Sequence, residues 1–247
     1  MLIHIPSLGS EDGGRMKIKE LTEMAVPSQN LLTKTYYHGT TSEEAAESIL
    51  KNGIQPPDLS LRKGLLKPVV GKVYCTSNLG YAQIYAIGGD MAGVDISLRK
   101  LVNKKGYLFV IPGSELKDIQ PDEDSIGEFL SDILNMPNIE THSISLNGKD
   151  MDKSIVRNLY SLAMKYLSPS TLKKVKDGEY AYWAKAGKVL VKRLSDYDKI
   201  KMIEFGGFHI AHTGPIIPSQ CWKINLEYIP QLKKDGSNFF ELAERIK

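Results

Sequence analysis

Strand-like patterns lie at both ends of this 247-residue chain, and a long helical pattern separates them. The continuous apolar run Gly106–Gly113, bounded by glycines, is typical of a central strand. Between residues 122 and 194 the apolar residues recur at helical spacing, which predicts helices over Ile126–Leu134, Lys153–Tyr166, Pro169–Val175 and Tyr180–Arg193. Strand patterns resume at 201–214 and 221–229. This order predicts an α+β fold, with antiparallel sheets and a helical insertion at about 122–194.

The first thirty residues differ from the rest of the chain. Residues 1–30 contain the polar, glycine-rich segment GSEDGG and one short helical pattern, Met16–Met24. We interpret residues 1–30 as an N-terminal arm, either flexible or strapped across the domain, and residues 31–247 as a single domain.

Composition excludes several classes of protein. A formal net charge of +3 allows an anionic ligand, but the lysine-rich stretches Arg99–Lys105 and Lys173–Lys176 favour solvated faces over a nucleic-acid interface. The two cysteines, Cys75 and Cys221, do not make a disulfide framework, and no His, Cys or acidic cluster has metal-site spacing. No run has the length of a membrane span or the order of a signal peptide. We expect a soluble cytoplasmic protein with no metal and no membrane partner.

Two strand–helix pairs carry the residues that suggest chemistry. The segment TKTYYHG predicts a strand, and a helix follows whose N-cap is Thr41 or Ser42 and whose end is Gly53. His38 stands between them in a His-Gly-Thr turn, either as a ligand-binding imidazole or as an ordinary turn or core histidine. The segment GKVYCTS predicts a second strand, followed by a helix that Ser77 or Asn78 caps and Gly88-Gly89 ends.

Three segments together resemble the ADP-ribosyltransferase superfamily. They are YYHGT at 36–40, GKVYCTSNLGYAQIYA at 71–86 and HTGPIIPSQCWKI at 212–224. The resemblance is to the branch with a His-Tyr-Glu triad, which includes diphtheria toxin and the poly(ADP-ribose) polymerases. It covers residues 36–85 and 212–228, and it implies a split antiparallel β-sheet core and the use of NAD as a substrate.

The resemblance also implies a role for each matching residue. His38 would hydrogen-bond the adenosine-side ribose, the Gly39 backbone would hold the nicotinamide carboxamide, and Thr40 completes the NAD-binding His-Gly-Thr element. Tyr74 and Tyr85 match the two tyrosines that build the nicotinamide slot, where a cationic ring gains stacking and cation–π attraction. The alternative is that Tyr74 and Tyr85 are ordinary aromatic residues of the core, on a strand and a helix. Tyr81 is a nearby candidate for stacking.

Two positions depart from the family pattern. Ala82 stands where the polymerases usually have a serine that binds the carboxamide. Gln220 stands where the family has a glutamate, which hydrogen-bonds the ribose and stabilises the oxocarbenium-like transition state. Glutamine keeps the hydrogen bond but loses the charge, which at about 4 Å and an effective dielectric of about 20 is worth roughly 4 kcal/mol. A plain proline turn before an edge strand would explain the same segment. The nearby acids Glu204 and Glu227 lie outside that turn.

These observations predict a toxin-like mono-ADP-ribosyltransferase. His38, Tyr74 and Gln220 would form its catalytic set, and the acceptor of ADP-ribose would be a protein or a nucleic acid. On this hypothesis, Gln220→Glu should increase NAD hydrolysis. The alternative is a catalytically inactive module that binds NAD or ADP-ribose. A third activity with this fold, tRNA 2′-phosphotransfer, uses an Arg-His-Arg-Arg pattern that these positions do not match.

Overall fold

The computed structural model describes residues 29–57, 69–88, 104–116, 118–137, 145–146, 149–205 and 209–247. The predicted helical pattern Met16–Met24, almost all of the predicted arm, Gly89 and most of the stretch Arg99–Lys105 lie outside these ranges. Within them, no helix combines the length and apolar character needed to cross a bilayer.

Strands and helices alternate in the first part of the described chain, helices predominate in the middle, and strands return toward the C-terminus. The helices are α1 Gln29–Thr33, α2 Glu43–Asn52, α3 Leu79–Ile87, α4 Glu123–Asn135, α5 Lys153–Tyr166, α6 Pro169–Lys176, α7 Tyr180–Leu190, α8 Asp196–Phe205 and α9 Phe239–Leu242. The strands are β1 Thr35–Thr40, β2 Lys72–Cys75, β3 Lys105–Pro112, β4 Ile119–Pro121, β5 Ser145–Leu146, β6 Lys149–Asp150, β7 Ile210–Thr213, β8 Gln220–Asn225 and β9 Glu244–Arg245. Short 3₁₀ helices cover Gly113–Glu115 and Leu226–Gln231.

The strands form antiparallel sheets. The first has the order β1-β3-β8-β9 and the second the order β2-β7-β4, while β5 and β6 pair as a separate hairpin. The predicted strands over 106–113 and around residue 74 are confirmed, and β3 lies inside the first sheet. The protein is a mixed helix-and-strand structure with antiparallel sheets, compatible with the predicted α+β class.

The two larger sheets are joined edge to edge at one place. Tyr37 N–H donates to Thr76 O at 2.7 Å, and Thr76 N–H donates to Tyr37 O at 3.1 Å. This is an isolated bridge, so pairing between β1 and β2 does not continue past it in the described residues. We call the gap between β1 and β2 beyond this bridge the sheet split.

In the described ranges, apolar side chains form three cores that hold these layers. The first is shared by one face of each large sheet and includes Tyr36, Phe109, Ile111, Val73, Cys75 and Ile210. The second lies on the opposite face of the first sheet, where Leu108 and Ile224 pack against α3 and the C-terminal Phe239. The third is helical and unites α4 to α8 through residues such as Leu130, Ile155, Leu159 and Leu190. The predicted helical middle is therefore confirmed as a group of helices with its own core.

Two parts of the predicted secondary structure were wrong. The strand pattern that begins at Lys201 is helical as far as Phe205, because Ser195 accepts a hydrogen bond from the Asp198 amide at 3.1 Å and starts α8 there. The strand expected over 221–229 ends at Asn225. The Asn225 side chain accepts from the Glu227 amide at 3.2 Å, and a 3₁₀ turn containing Pro230 follows.

The ends of α2 and α3 follow the local signals in the sequence. Ser42, rather than Thr41, caps α2 by accepting from the Ala45 amide at 3.1 Å, and Asn78, rather than Ser77, caps α3. Gly53 and Gly88 end these helices at positive φ angles of 76° and 106°. The predicted stops are confirmed, and they fix the two helices that flank β1 and β2.

Candidate functional site

Among the described residues, no strand pairs with the edge of β1 beyond the Tyr37–Thr76 bridge. In an antiparallel ladder, successive residues direct their N–H and C=O groups to opposite neighbours. Gly39 lies two residues past Tyr37, so the N–H and C=O of Gly39 point to the same edge of β1 as the Tyr37 groups that bond Thr76. At Gly39, however, β2 no longer pairs with this edge. A planar amide could therefore add to the β1 edge at Gly39 by a paired donor and acceptor.

Gly39 is also the point at which α3 packs against β1. An added Cβ would lie 2.5 Å from the Ala86 amide nitrogen and closer still to the Ala82 carbonyl oxygen. Both are backbone atoms, so a side chain here would push α3 away from the sheet. Glycine thus brings α3, with Tyr85 on it, against the edge of the split.

His38 links the two sheets at the split. Its Nδ1 lies 3.0 Å from the Tyr74 carbonyl oxygen, although the two residues are 36 positions apart in the chain. Because a carbonyl oxygen can only accept, this distance fits an Nδ1–H donating to the Tyr74 carbonyl. The structure therefore brings together two of the predicted site residues, His38 and Tyr74.

Tyr74 is held at its other end by residues that the motif comparison did not single out. Its hydroxyl donates to Glu123 Oε2 at 3.0 Å and accepts from the Val69 amide at 3.0 Å. Lys72 Nζ contacts Glu123 Oε1 at 3.0 Å and also donates to Gln120 Oε1 at 3.0 Å. Burial, and next the Glu123 charge, raise the pKa of Tyr74, so the phenol keeps its proton near neutral pH.

Exposed aromatic side chains flank this cluster. Tyr85 and Tyr81 on α3 are 53% and 48% exposed, and the Tyr81 ring packs edge-on against His209 with 4.9 Å between centroids. Tyr180, at the start of α7, donates its hydroxyl to Asp124 Oδ2 at 3.2 Å. Burial of its hydroxyl end, then the charges of Asp122 and Asp124, raise the pKa of Tyr85. Tyr85 therefore faces the start of α4.

The start of α4 is acidic and enclosed. Asp122 caps the helix by accepting from the Asp124 amide at 3.3 Å, and its own amide donates to the His209 carbonyl at 2.8 Å. Burial, reinforced by the neighbouring Asp124 and Glu123, raises the pKa of Asp122 to about 7. Burial also raises the pKa of Asp124. This edge of the site therefore changes charge within the physiological pH range.

Gln220 lies on the other face of the first sheet. The register pairs Gln220 with Val110 and Val110 with Tyr37, whereas His38 pairs with Phe109. Residues paired across an antiparallel sheet share a face and sequence neighbours alternate, so Gln220 and His38 face opposite sides. The side-chain oxygen of Gln220, Oε1, accepts a hydrogen bond from Trp222 Nε1 at 3.0 Å. The structure does not bring Gln220 to His38 and Tyr74 as the sequence comparison implied.

The other residues named from the sequence have structural partners. Thr40 Oγ1 accepts from the Ser42 amide at 3.2 Å, which shapes the turn into α2. Glu204 pairs with Lys201 at 2.8 Å. The two cysteines are buried in the core shared by the sheets, where burial raises the pKa of both thiols, that of Cys221 to about 11. Both side chains therefore pack in this core.

In the part of the chain that the structure describes, neither a metal-ligand cluster nor a large cavity coincides with this site. No group of three His, Cys, Asp or Glu side chains within those ranges could hold a metal ion. A separate cavity of about 540 Å³ lies at the far edge of the first sheet, lined in part by Lys105, Lys223 and Tyr228. It contains none of the predicted site residues.

No protein-family model, curated protein or solved structure matches the chain. What distinguishes the sheet split is its own geometry: a backbone edge at Gly39, the His38–Tyr74 contact and an acidic helix start beside exposed tyrosines. The family resemblance did not single out Lys72, Asp122, Glu123 or Tyr180. Lys72 could have been recognised from the sequence, because it lies two residues before Tyr74 and therefore on the same face of β2.

Proposed function

We propose that the chain is an NAD-dependent mono-ADP-ribosyltransferase, built on an ADP-ribosyltransferase-like split antiparallel core with a helical insertion. The observation that carries the proposal is the sheet split, where the Gly39 backbone edge adjoins the His38–Tyr74 contact. The carboxamide of nicotinamide has one donor and one acceptor side, which matches the N–H and C=O that Gly39 presents. Two separate chain segments, β1 and β2, supply these groups.

Each residue then has a definite part in binding NAD. Gly39 would hold the carboxamide, and Tyr74 and Tyr85 would flank the cationic pyridinium ring. His38 would contact a ribose hydroxyl from the split, where its Nδ1 already meets the Tyr74 carbonyl. Thr40 would act through the turn that positions His38 and Gly39. No metal is required for this chemistry.

The proposed reaction breaks the bond between nicotinamide nitrogen and the ribose anomeric carbon. Nicotinamide leaves with the bonding electron pair and becomes neutral, while the ribose develops oxocarbenium character. A nucleophile of a protein or nucleic-acid acceptor then attacks the anomeric carbon and loses its proton. Catalysis would come from positioning and from negative charge near the developing cation. The acidic start of α4 would supply that charge in place of the family's glutamate.

A second candidate is a module that binds NAD or ADP-ribose without turnover. The position of Gln220 favours it, because the residue at the family's glutamate position has no charge and faces away from His38. The two functions share one binding site and differ only in bond cleavage. Release of nicotinamide therefore distinguishes them.

The test combines nicotinamide release with two matched tyrosine variants. Tyr85 and Tyr197 are both exposed helical tyrosines, at 53% and 45%, but Tyr197 lies on α8, a helix that contributes none of the proposed site residues. Wild-type protein should bind NAD and release nicotinamide, Tyr85→Ala should lose about tenfold in NAD affinity, and Tyr197→Ala should match wild type. Binding without release would support the module instead. Absence of binding, or equal behaviour of the two variants, would contradict the site.

A further inference from the structure

Tyr74 is fixed at both ends by charged or polar partners from distant parts of the chain. Its carbonyl meets His38 Nδ1 at 3.0 Å, and its hydroxyl donates to Glu123 Oε2 at 3.0 Å. Glu123 in turn has its second oxygen 3.0 Å from Lys72 Nζ. With its backbone held at one end and its hydroxyl at the other, the Tyr74 side chain has its direction fixed before any ligand arrives.

The carboxylate that holds Tyr74 is shielded from water. The Glu123 side chain is 3% exposed and the Lys72 side chain 12% exposed. Hydrogen bonds to a charged acceptor are shorter and stronger than neutral ones, and they gain further strength where water is excluded. Glu123 is also the first residue of α4, where the helix dipole favours a negative charge. The Lys72 ion pair, the Tyr74 hydroxyl and the helix dipole therefore each hold the Glu123 carboxylate in place.

Donation of a phenol proton to a carboxylate shifts electron density toward the ring. An electron-richer ring attracts a cation on its face more strongly and leaves its contact with a neutral ring nearly unchanged. The nicotinamide ring is cationic in NAD+ and neutral in NADH. The partner of the Tyr74 hydroxyl can therefore control which of the two redox forms the site prefers.

We propose that Glu123, held by Lys72, is a positioning residue that fixes and polarises Tyr74 and so gives the split its preference for a cationic pyridinium ring. This inference rests on the proposed function, because it assumes that NAD occupies the split. It adds a specificity determinant that lies 49 residues from Tyr74 and belongs to none of the three segments of the family resemblance.

The test is the ratio of the dissociation constants for NADH and NAD+, measured by calorimetry. The variants are Tyr74→Phe, Glu123→Gln and the double variant Lys72→Met/Glu123→Gln. The double variant removes the ion pair as a unit and leaves no buried unpaired charge. Each should weaken NAD+ binding by about threefold to tenfold and change NADH binding less than about twofold. In the Tyr74→Phe background, Glu123→Gln should have no further effect on the ratio.

The outcomes separate this inference from the proposed function. Wild-type protein that binds neither nucleotide contradicts the proposed function itself. Wild-type protein that binds NAD+, with variants that keep the wild-type ratio, overturns the role of Glu123 and leaves the proposed function standing. Equal weakening of NAD+ and NADH also overturns it, because loss of folded structure alone would do that. If Glu123→Gln does not fold, the ratio of Tyr74→Phe decides.

Discussion

Asp122 gives the sharpest prediction about stability. Its pKa is about 7 in the folded protein against an ordinary value of 3.8, chiefly because the carboxyl is buried. The folded state therefore binds more protons than the unfolded state between these two values. The contribution of Asp122 to the free energy of unfolding is therefore largest below pH 3.8, and it is lost progressively as the pH rises to about 7. At about 1.36 kcal/mol per pH unit, the whole loss is about 4 kcal/mol.

Asp122→Asn removes the titration and keeps the helix cap, because asparagine is an equally good N-cap residue. Between pH 5 and pH 8 wild type loses the part of the contribution that lies between pH 5 and pH 7, about 3 kcal/mol. The difference in free energy of unfolding, Asp122→Asn minus wild type, should therefore increase by about 3 kcal/mol from pH 5 to pH 8. Urea denaturation at pH 5, 6, 7 and 8 measures it.

Asp152→Asn is the matched control. Asp152 also caps a helix by accepting from an amide, that of Ser154 at 2.8 Å, but its hydrogen bonds to Ser154 lower its pKa. Its carboxyl is ionised throughout pH 5–8, so the difference between Asp152→Asn and wild type should stay flat. A difference for Asp122→Asn that is equally flat across this interval would refute the argument that burial controls Asp122.

Three further predictions follow from named contacts. Gly39→Ala should lower the free energy of unfolding by about 1–3 kcal/mol in urea, because its Cβ would meet the backbone of α3, and an unchanged midpoint would contradict this packing. Gln220→Glu should change the rate of nicotinamide release less than about twofold, because the side chain faces away from His38. The family resemblance predicts an increase instead, and a large increase would place Gln220 in the site. Lys72→Met should cost about 3–5 kcal/mol of stability by leaving Glu123 buried without its cation, and combination with Glu123→Gln should restore most of it in the same urea assay.

Local signals in the sequence determined most of the secondary structure. The stops at Gly53 and Gly88 depend on single residues that adopt positive φ, so they could be predicted from the sequence. The start of α8 could not be recognised from its apolar pattern. Residues 201–205 resemble a strand, and only the Ser195 cap together with burial of Met202 in the helical core makes the helix favourable.

The candidate site was only half accessible to sequence reasoning. The strand–turn–helix pattern located His38 and Tyr74 at adjacent strands, but the Glu123–Tyr74 contact joins elements that only the tertiary fold brings together. The face of Gln220 depends on strand register, and a shift of one residue moves a side chain to the opposite face. A single sequence does not specify that register.

We expect a pyridine nucleotide to occupy the split beside Gly39, His38 and Tyr85. Calorimetric titration of NAD+ into wild-type protein and Tyr85→Ala, with Tyr197→Ala alongside, tests this most directly. A single binding event that is about tenfold weaker in Tyr85→Ala alone is the predicted result. No heat of binding in wild type, or the same affinity in all three proteins, would contradict it.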